Sequence, residues 1–252
     1  MNVRPEITGN VIPVSYQYEL TSCIYKKLTS NYSNFIDWLY LNGYSEKIVQ
    51  KYKLFSVSNL YIPKIKVTND RLEILTRKIQ FWISFLPEKG TIDFINEVLL
   101  NQIIVIGDSI SKVEFEVESI SEYGISDFYE TMDYLSLSPI VVTVIRKNRS
   151  IGYLSPDDAY YPEYLLNHLL DKYYLVYGRE FPYDTNYSFS LLSEPKRRGI
   201  YIKRFTDNES KVIGYMYKFR ISMHPELHHL MYSTGVGDKI GLGFGCIEVL
   251  DD

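Results

Sequence analysis

Apolar residues recur three and four positions apart from Ser15 onward, with Leu20, Cys23, Ile24 and Leu28 on one stripe, which predicts a first helix. Tyr18 and Tyr25, seven apart, fall off that stripe. A second, shorter helix is predicted from Ser33, a good N-cap, to Asn42 and Gly43, a good C-cap. Its inward face is Phe35 with Trp38 or Leu39, and Tyr40 stands to one side. β-Propensity marks strands at residues 52–62, 71–76 and 79–86, then near 103–106 and 112–119, with a helix over 91–101 bearing Ile92, Ile95, Val98 and Leu99. The opening residues read poorly as a strand because Pro5 interrupts them.

The acidic stretch 120–133 contains Gly124 and makes the natural boundary. Beyond it the theme repeats: a strand over 140–146, a helix over 162–173 with Leu165, Leu166, Leu169 and Leu170, strands around Phe189 and over 199–205 and 212–222, a helix from Pro225, and a last strand. The order is not the regular βαβ alternation of a doubly wound sheet. It predicts an α+β protein of two tandem halves, residues 1–125 and 134–252, each with helices over a mostly antiparallel sheet.

Between the last helix and the last strand lie five glycines in eleven residues, Gly235, Gly237, Gly241, Gly243 and Gly245, interrupted by Asp238 and Lys239. Such a loop can take φ > 0 and lie against a phosphate or another backbone. It can equally be a tight connection that lets the final strand enter a sheet. The order helix, glycine loop, strand is the reverse of a dinucleotide fingerprint, and the loop lacks the Gly-Lys-Ser/Thr ending of a Walker loop.

Composition narrows the classes. At 252 residues, 46% hydrophobic and 23% charged, the chain reads as folded and able to bury a sizeable core. No run reaches the roughly 18 apolar residues of a membrane helix and no signal-peptide h-region is visible, so a cytoplasmic protein with no membrane partner is expected. Cys23 and Cys246 stand far apart, giving neither zinc spacing nor a disulfide framework, and no metal or other cofactor is expected. A formal charge of −4 argues against nonspecific nucleic-acid binding, yet the charge is uneven. Residues 108–133 carry eight acids against Lys112, and residues 196–220 carry eight bases against Asp207 and Glu209. A basic strand face on an acidic chain fits a localised polyanion site, and equally a set of solvated strands with edge lysines.

Several stretches together resemble one family. Ile12 to Tyr18, with Leu20, Ile24 and Tyr25, looks like its opening helix motif, and Lys53 to Ser58 looks like its Phe-Thr-Phe/Tyr-Ser strand. Leu137 to Val142 resembles its Leu-Ser-Pro-Ile motif, with Asp171, Lys172 and Tyr173 ending the helix that follows. Val236 to Gly245 is similar to its C-terminal glycine-rich signature. The family is the CRISPR-associated endoribonuclease that cuts precursor CRISPR RNA within its repeats, a member of the RAMP superfamily. The resemblance implies two tandem ferredoxin-like (RNA-recognition-motif-like) domains. It also implies metal-independent attack of a ribose 2′-hydroxyl on the adjacent phosphate, giving 2′,3′-cyclic phosphate and 5′-hydroxyl ends.

By resemblance, Tyr25 matches the family's tyrosine on the first helix and Lys53 its lysine before the Phe-containing strand, while the histidine position falls on Tyr40. A histidine can take and give a proton near neutrality, whereas a tyrosine is a poor base but can orient a hydroxyl or act as the acid. This departure keeps a second expectation alongside the enzyme, that of a protein that binds repeat RNA and cuts it weakly or not at all. The family's second domain grips RNA with cationic strands, which implies Lys196, Arg197, Arg198, Lys203 and Arg204 as RNA-binding residues. Lys239 with Gly237, Gly241, Gly243 and Gly245 would lie against the RNA backbone. Implied partners are precursor and mature CRISPR RNA, with effector-complex subunits and a second copy of the chain as further candidates.

Overall fold

The computed structural model describes residues 1–3, 9–30, 32–44, 54–124, 127–146 and 149–250. The second half is a complete βαββαβ unit. Strand β9 (Thr131–Ser136) leads through helix α4 (Tyr161–Tyr177) to β12 (Ser188–Leu191) and β15 (Lys218–Ser222), and helix α5 (Pro225–Thr234) leads to β16 (Ile247–Val249). These strands form one antiparallel sheet in the order β12-β15-β9-β16, the ferredoxin-like arrangement. Met132, Tyr134, Phe219, Ile221 and Ile247 are buried with Leu165, Leu169 and Tyr173 of α4 and Leu227, Leu230 and Met231 of α5.

Two hairpins are inserted into this unit. One joins β10 (Thr143–Ile145) to β11 (Ile151–Tyr153), and the other joins β13 (Lys196–Ile202) to β14 (Ser210–Met216) between the second and third strands. The run 212–222, expected as one strand, is therefore two strands in two sheets. Tyr217 marks the break and is held inward by a 2.5 Å hydrogen bond between its hydroxyl and that of Tyr161.

The first half carries helices α1 (Gln17–Leu28), α2 (Tyr32–Leu41) and α3 (Thr91–Leu99). Its strands form three small antiparallel sheets. These are β1 (Asn2–Val3) with β8 (Lys112–Glu116) and β7 (Ile103–Gly107); β2 (Val11–Pro13) with β5 (Arg71–Ile74) and β4 (Ile65–Thr68); and β3 (Phe55–Val57) with β6 (Ile83–Phe85). Asn2 and Val3 pair with Glu116 and Phe115, so the chain does open on a strand; Pro5, the reason for expecting none, lies outside the described residues. Of the expected stripe, Leu20, Ile24 and Leu28 are buried in one core with Ile104, Ile106, Val113 and Phe115, while Cys23 is half-buried at its edge.

The halves are tandem ferredoxin-like α+β units, and one apolar core runs through both, from Ile12 to Ile247. Helix α5 crosses over to pack on β3 and β6. Among the described residues, no helix is long and apolar enough to cross a membrane.

Candidate RNA-processing site

Two of the side chains implied as catalytic, Tyr25 and Tyr40, sit on helices α1 and α2, which a relay of rings joins. Tyr25, on α1, stacks on Phe55 of β3 with ring centroids 6.5 Å apart and planes 16° apart. Phe55 meets Phe85 of β6 at 5.6 Å, Phe85 meets Trp38 of α2 edge-on at 6.0 Å, and Trp38 stacks on Phe94 of α3 at 4.5 Å. Edge-to-face and offset contacts of this kind fix ring orientation as well as burying area. Tyr25 is half-buried and braced, whereas Tyr40, in the last turn of α2, is 63% exposed. Its helix end is fixed from behind: Asn42 donates to the Trp38 and Lys89 carbonyls, and Tyr44 N–H donates to the Leu39 carbonyl. Lys53 lies outside the described residues, two positions before the Phe55 that carries Tyr25.

The basic segment forms the β13–β14 hairpin. Lys196, Arg197 and Arg198 are exposed along β13, while Ile200 and Ile202 turn inward onto Val141, Val212 and Phe244. One face of the hairpin sets Arg197 opposite Tyr215 and Tyr201 opposite Lys211, whose ammonium lies 5.1 Å from the Tyr201 ring centre. Cations alternating with aromatic faces suit an unpaired RNA strand, which offers phosphates and base planes together. Lys203 is exposed, with its ammonium 6.0 Å from the Tyr18 ring centre. Arg204 is different: it is ion-paired with Asp70 in the β4–β5 turn and lies 4.8 Å from the Phe205 ring centre. It clamps the hairpin to the first half.

A second tie brings hairpin and helix together, since Tyr201 N–H donates to Ser15 Oγ at 3.1 Å, just before α1 begins. Tyr18 and Tyr25 are seven residues apart, about 10 Å along the axis of α1. One helix thus runs from the cationic hairpin to the braced tyrosine.

The glycine loop faces the protein. A Cβ on Gly243 would lie 2.6 Å from the Gln17 carbonyl oxygen and 2.8 Å from Thr21 Oγ1, both on α1. One on Gly235 would lie 3.0 Å from Ser56 Cβ on β3. Val236 N–H donates to the Gly245 carbonyl, Asp238 N–H to Val141, Gly243 N–H to Ile240 and Gly245 N–H to Pro139. These amides are spent on the protein's own carbonyls, and Gly243 and Gly245 are buried. Gly237, Lys239 and Gly241 are half-buried, and Lys239 takes a left-handed φ of 59°. Of the two readings open from the sequence, the geometry is that of a joint seating α1 and β3 against the second half.

Sequence reasoning passed over a polar cluster behind this joint. Lys172 is fully buried and donates to the Gly235 carbonyl at 2.6 Å. His168 lies 3.6 Å from Asp238, and the buried Tyr187 hydroxyl also lines the small cavity there. The signal was legible, since Lys172 follows Leu165 and Leu169 at helical spacing on the inward face of α4. Burial pushes the Lys172 ammonium down from 10.5 to about 7. The unfolded chain keeps that proton well above neutrality, so unfolding takes up a proton over this range and stability climbs with pH. Between about pH 6.5 and 8.5, wild type should gain about 2 kcal/mol in urea unfolding relative to Lys172→Met. Parallel pH profiles for the two proteins would show that Lys172 stays charged in the fold.

Known proteins resemble the chain along nearly its whole length. The family described as CRISPR-associated protein Cas6, N-terminal, matches residues 11–121, and CRISPR associated protein Cas6, C-terminal, matches residues 125–249. The chain is 27% identical over 246 residues to CRISPR-associated endoribonuclease Cas6 1 of Methanocaldococcus jannaschii, covering 96% of this chain and 89% of that protein. It is 25% identical to CRISPR-associated endoribonuclease Cas6 of Pyrococcus furiosus, covering 94% and 83%. Among solved structures, a Cas6-related protein from Pyrococcus furiosus superposes with a TM-score of 0.75 at 24% identity, over 96% of this chain and 93% of that one. A RAMP protein described as binding different RNA substrates gives 0.75 at 22%, over 96% and 94%. With the two matched regions spanning nearly its whole length in order, the chain belongs to the Cas6 family of CRISPR-associated proteins.

Proposed function

We propose that this protein is an endoribonuclease that cuts CRISPR repeat RNA to release mature guide RNA, the activity named for its relatives. The observation that carries the reading is the single helix α1, whose start is bonded to the basic hairpin and whose Tyr25 is braced on Phe55. Lys196, Arg197, Arg198 and Lys203 hold the RNA, and residues of the first half act on it. The ribose 2′-oxygen attacks the adjacent phosphorus as its proton passes to water, and the bond from phosphorus to the 5′-oxygen breaks as that oxygen takes a proton. The products are a 2′,3′-cyclic phosphate and a 5′-hydroxyl, and the step needs no metal. Tyr25 orients the 2′-hydroxyl, Lys53 offsets the charge growing on the phosphorane, and Tyr40 donates the proton to the leaving oxygen.

The test is single-turnover cleavage of labelled repeat RNA in EDTA. Wild type should cut, and Tyr25→Phe should be about 10²-fold slower or more with RNA affinity within about twofold. Replacing Lys196, Arg197 and Arg198 together by alanine should instead weaken binding and flatten its salt dependence, by about 0.7 in log-log slope per lost phosphate contact. Cleavage that stops in EDTA would overturn the metal-free chemistry.

One observation favours a second reading, a protein that binds repeat RNA without cutting it. Tyr40 stands at the family's histidine position, and among the relatives at 23% identity is a Pyrococcus horikoshii protein named only endoribonuclease-like. A gel shift with no product in the same assay would establish this reading.

A further inference from the structure

A second hairpin stands beside the basic one. Strands β10 and β11 set Thr143 opposite Tyr153 and Ile145 opposite Ile151, so these four side chains share one face. The inner pair is anchored. Thr143 N–H donates to the Asp238 carboxylate at 2.7 Å, and the Tyr153 hydroxyl donates to the Lys211 carbonyl of β14 at 3.3 Å. Tyr153 also packs against the cluster of Val141, Ile200, Ile202, Val212 and Phe244 that underlies β13–β14. The shared face is therefore turned toward the basic hairpin.

The outer pair is packed on neither core. Ile145 and Ile151 lie about 7 Å farther out along the same face and are 83% and 58% exposed. Strand register holds two isoleucines side by side in water, next to the strand whose Lys211 ammonium lies 5.1 Å from the Tyr201 ring centre.

Charge at this hairpin has one sign. Residues 139–156 include no acid, and the exposed Arg146 and Arg149 are ion-paired with nothing among the described residues. Of the acids in the β13–β14 turn, Glu209 already accepts the Phe205 N–H. Arg149 N–H donates to the Arg146 carbonyl at 2.8 Å, which closes the turn and holds both cations at its end. Arg146 lies across the outer face, where a Cβ on Gly152 would come within 2.7 Å of its Nε. Cations at the rim and apolar side chains on the inner face match a polyanion that carries exposed base planes.

We propose that the β10–β11 hairpin is a second RNA-gripping element, in which an unpaired base of the repeat packs on Ile145 and Ile151 while Arg146 and Arg149 hold the flanking phosphates. This rests on the reading of β13–β14 as RNA-binding and carries that surface onto another part of the chain.

The test is anisotropy of fluorescein-labelled repeat RNA over a salt series, with the Lys196, Arg197 and Arg198 triple variant alongside. Arg146→Ala with Arg149→Ala should weaken binding about tenfold and lower the log-log salt slope by about 1.4, two phosphate contacts at about 0.7 each. Arg146→Lys with Arg149→Lys should keep the slope. Ile145→Ser with Ile151→Ser should weaken binding of the single strand about fivefold at unchanged slope, and leave binding of the fully duplexed repeat as in wild type. All four positions lie outside the core, so the variants keep the fold. Lys66→Ala with Arg77→Ala removes the same charge from the first half and should leave affinity within about twofold. Wild type that fails to bind repeat RNA overturns the β13–β14 reading and this one together. Wild type that binds, weakened by the triple variant but not by the arginine or isoleucine pairs, overturns the second hairpin alone, as does equal damage from the Lys66 and Arg77 control.

Discussion

Tyr40→His is expected to raise the single-turnover rate of repeat-RNA cleavage by about 10²-fold or more, with RNA affinity unchanged. Tyr40 is 63% exposed and outside the core, so the exchange costs the fold little. Its place in the last turn of α2 is the negative end of a helix, where an imidazolium is favoured and its proton is held closer to neutrality. A histidine there can both take and give the proton near pH 7, which the phenol in its place does poorly. The measurement is product formation in EDTA for the two proteins at saturating enzyme. An unchanged rate would mean that position 40 does not reach the reacting atoms, and the acid would have to be sought elsewhere around α1.

The second large effect is on stability. Gly243→Ala should destabilise the protein by about 3 kcal/mol, a drop of roughly 10 °C in Tm, because two penalties coincide. The residue sits at φ 92°, in the left-handed region, and its new methyl would press on the Gln17 carbonyl and Thr21 of α1. Gly124→Ala, where a Cβ meets nothing within 4 Å, is the matched control and should be neutral. If both melt alike, the loop yields more easily than its packing suggests and the glycine signature is not the seat of α1.

The helices were legible from their apolar stripes: α1 buries Leu20, Ile24 and Leu28 and α3 buries Ile95, Val98 and Leu99, while Cys23 and Ile92, expected on the same stripes, are half-buried. Strand β9 was hidden. Thr131–Ser136 overlaps the acidic stretch taken as a boundary, yet Met132, Tyr134 and Ser136 alternate inward and make it an inner strand of the second sheet. Local charge outweighed a short alternation that only the neighbouring strands reveal. The split of 212–222 had a signal: buried positions run Val212 and Gly214, then Tyr217, Phe219 and Ile221, and that one-residue slip in parity marks the change of sheet. The site was legible only in pieces. Tyr25 could be named from its motif, but its support by Phe55 needs a strand thirty residues on in the chain to fold beneath α1. The inward turn of the glycine loop was not legible, since glycine content is the same whether the backbone meets a phosphate or a helix.

The β13–β14 hairpin makes little use of the main core. Its inward residues Ile200, Ile202 and Val212 close a satellite cluster with Val141 and Phe244, and its other ties include Ser15, Asp70 and the backbone bonds between Ile140 and Tyr215 at its base. Its exposed positions can therefore drift over generations at small thermodynamic cost, because no layer of the sheet has to be repacked to accommodate them. With this finger gripping the repeat as proposed, selection can retune it to a changing repeat while the scaffold stays constant, much as a key is recut without recasting its bow.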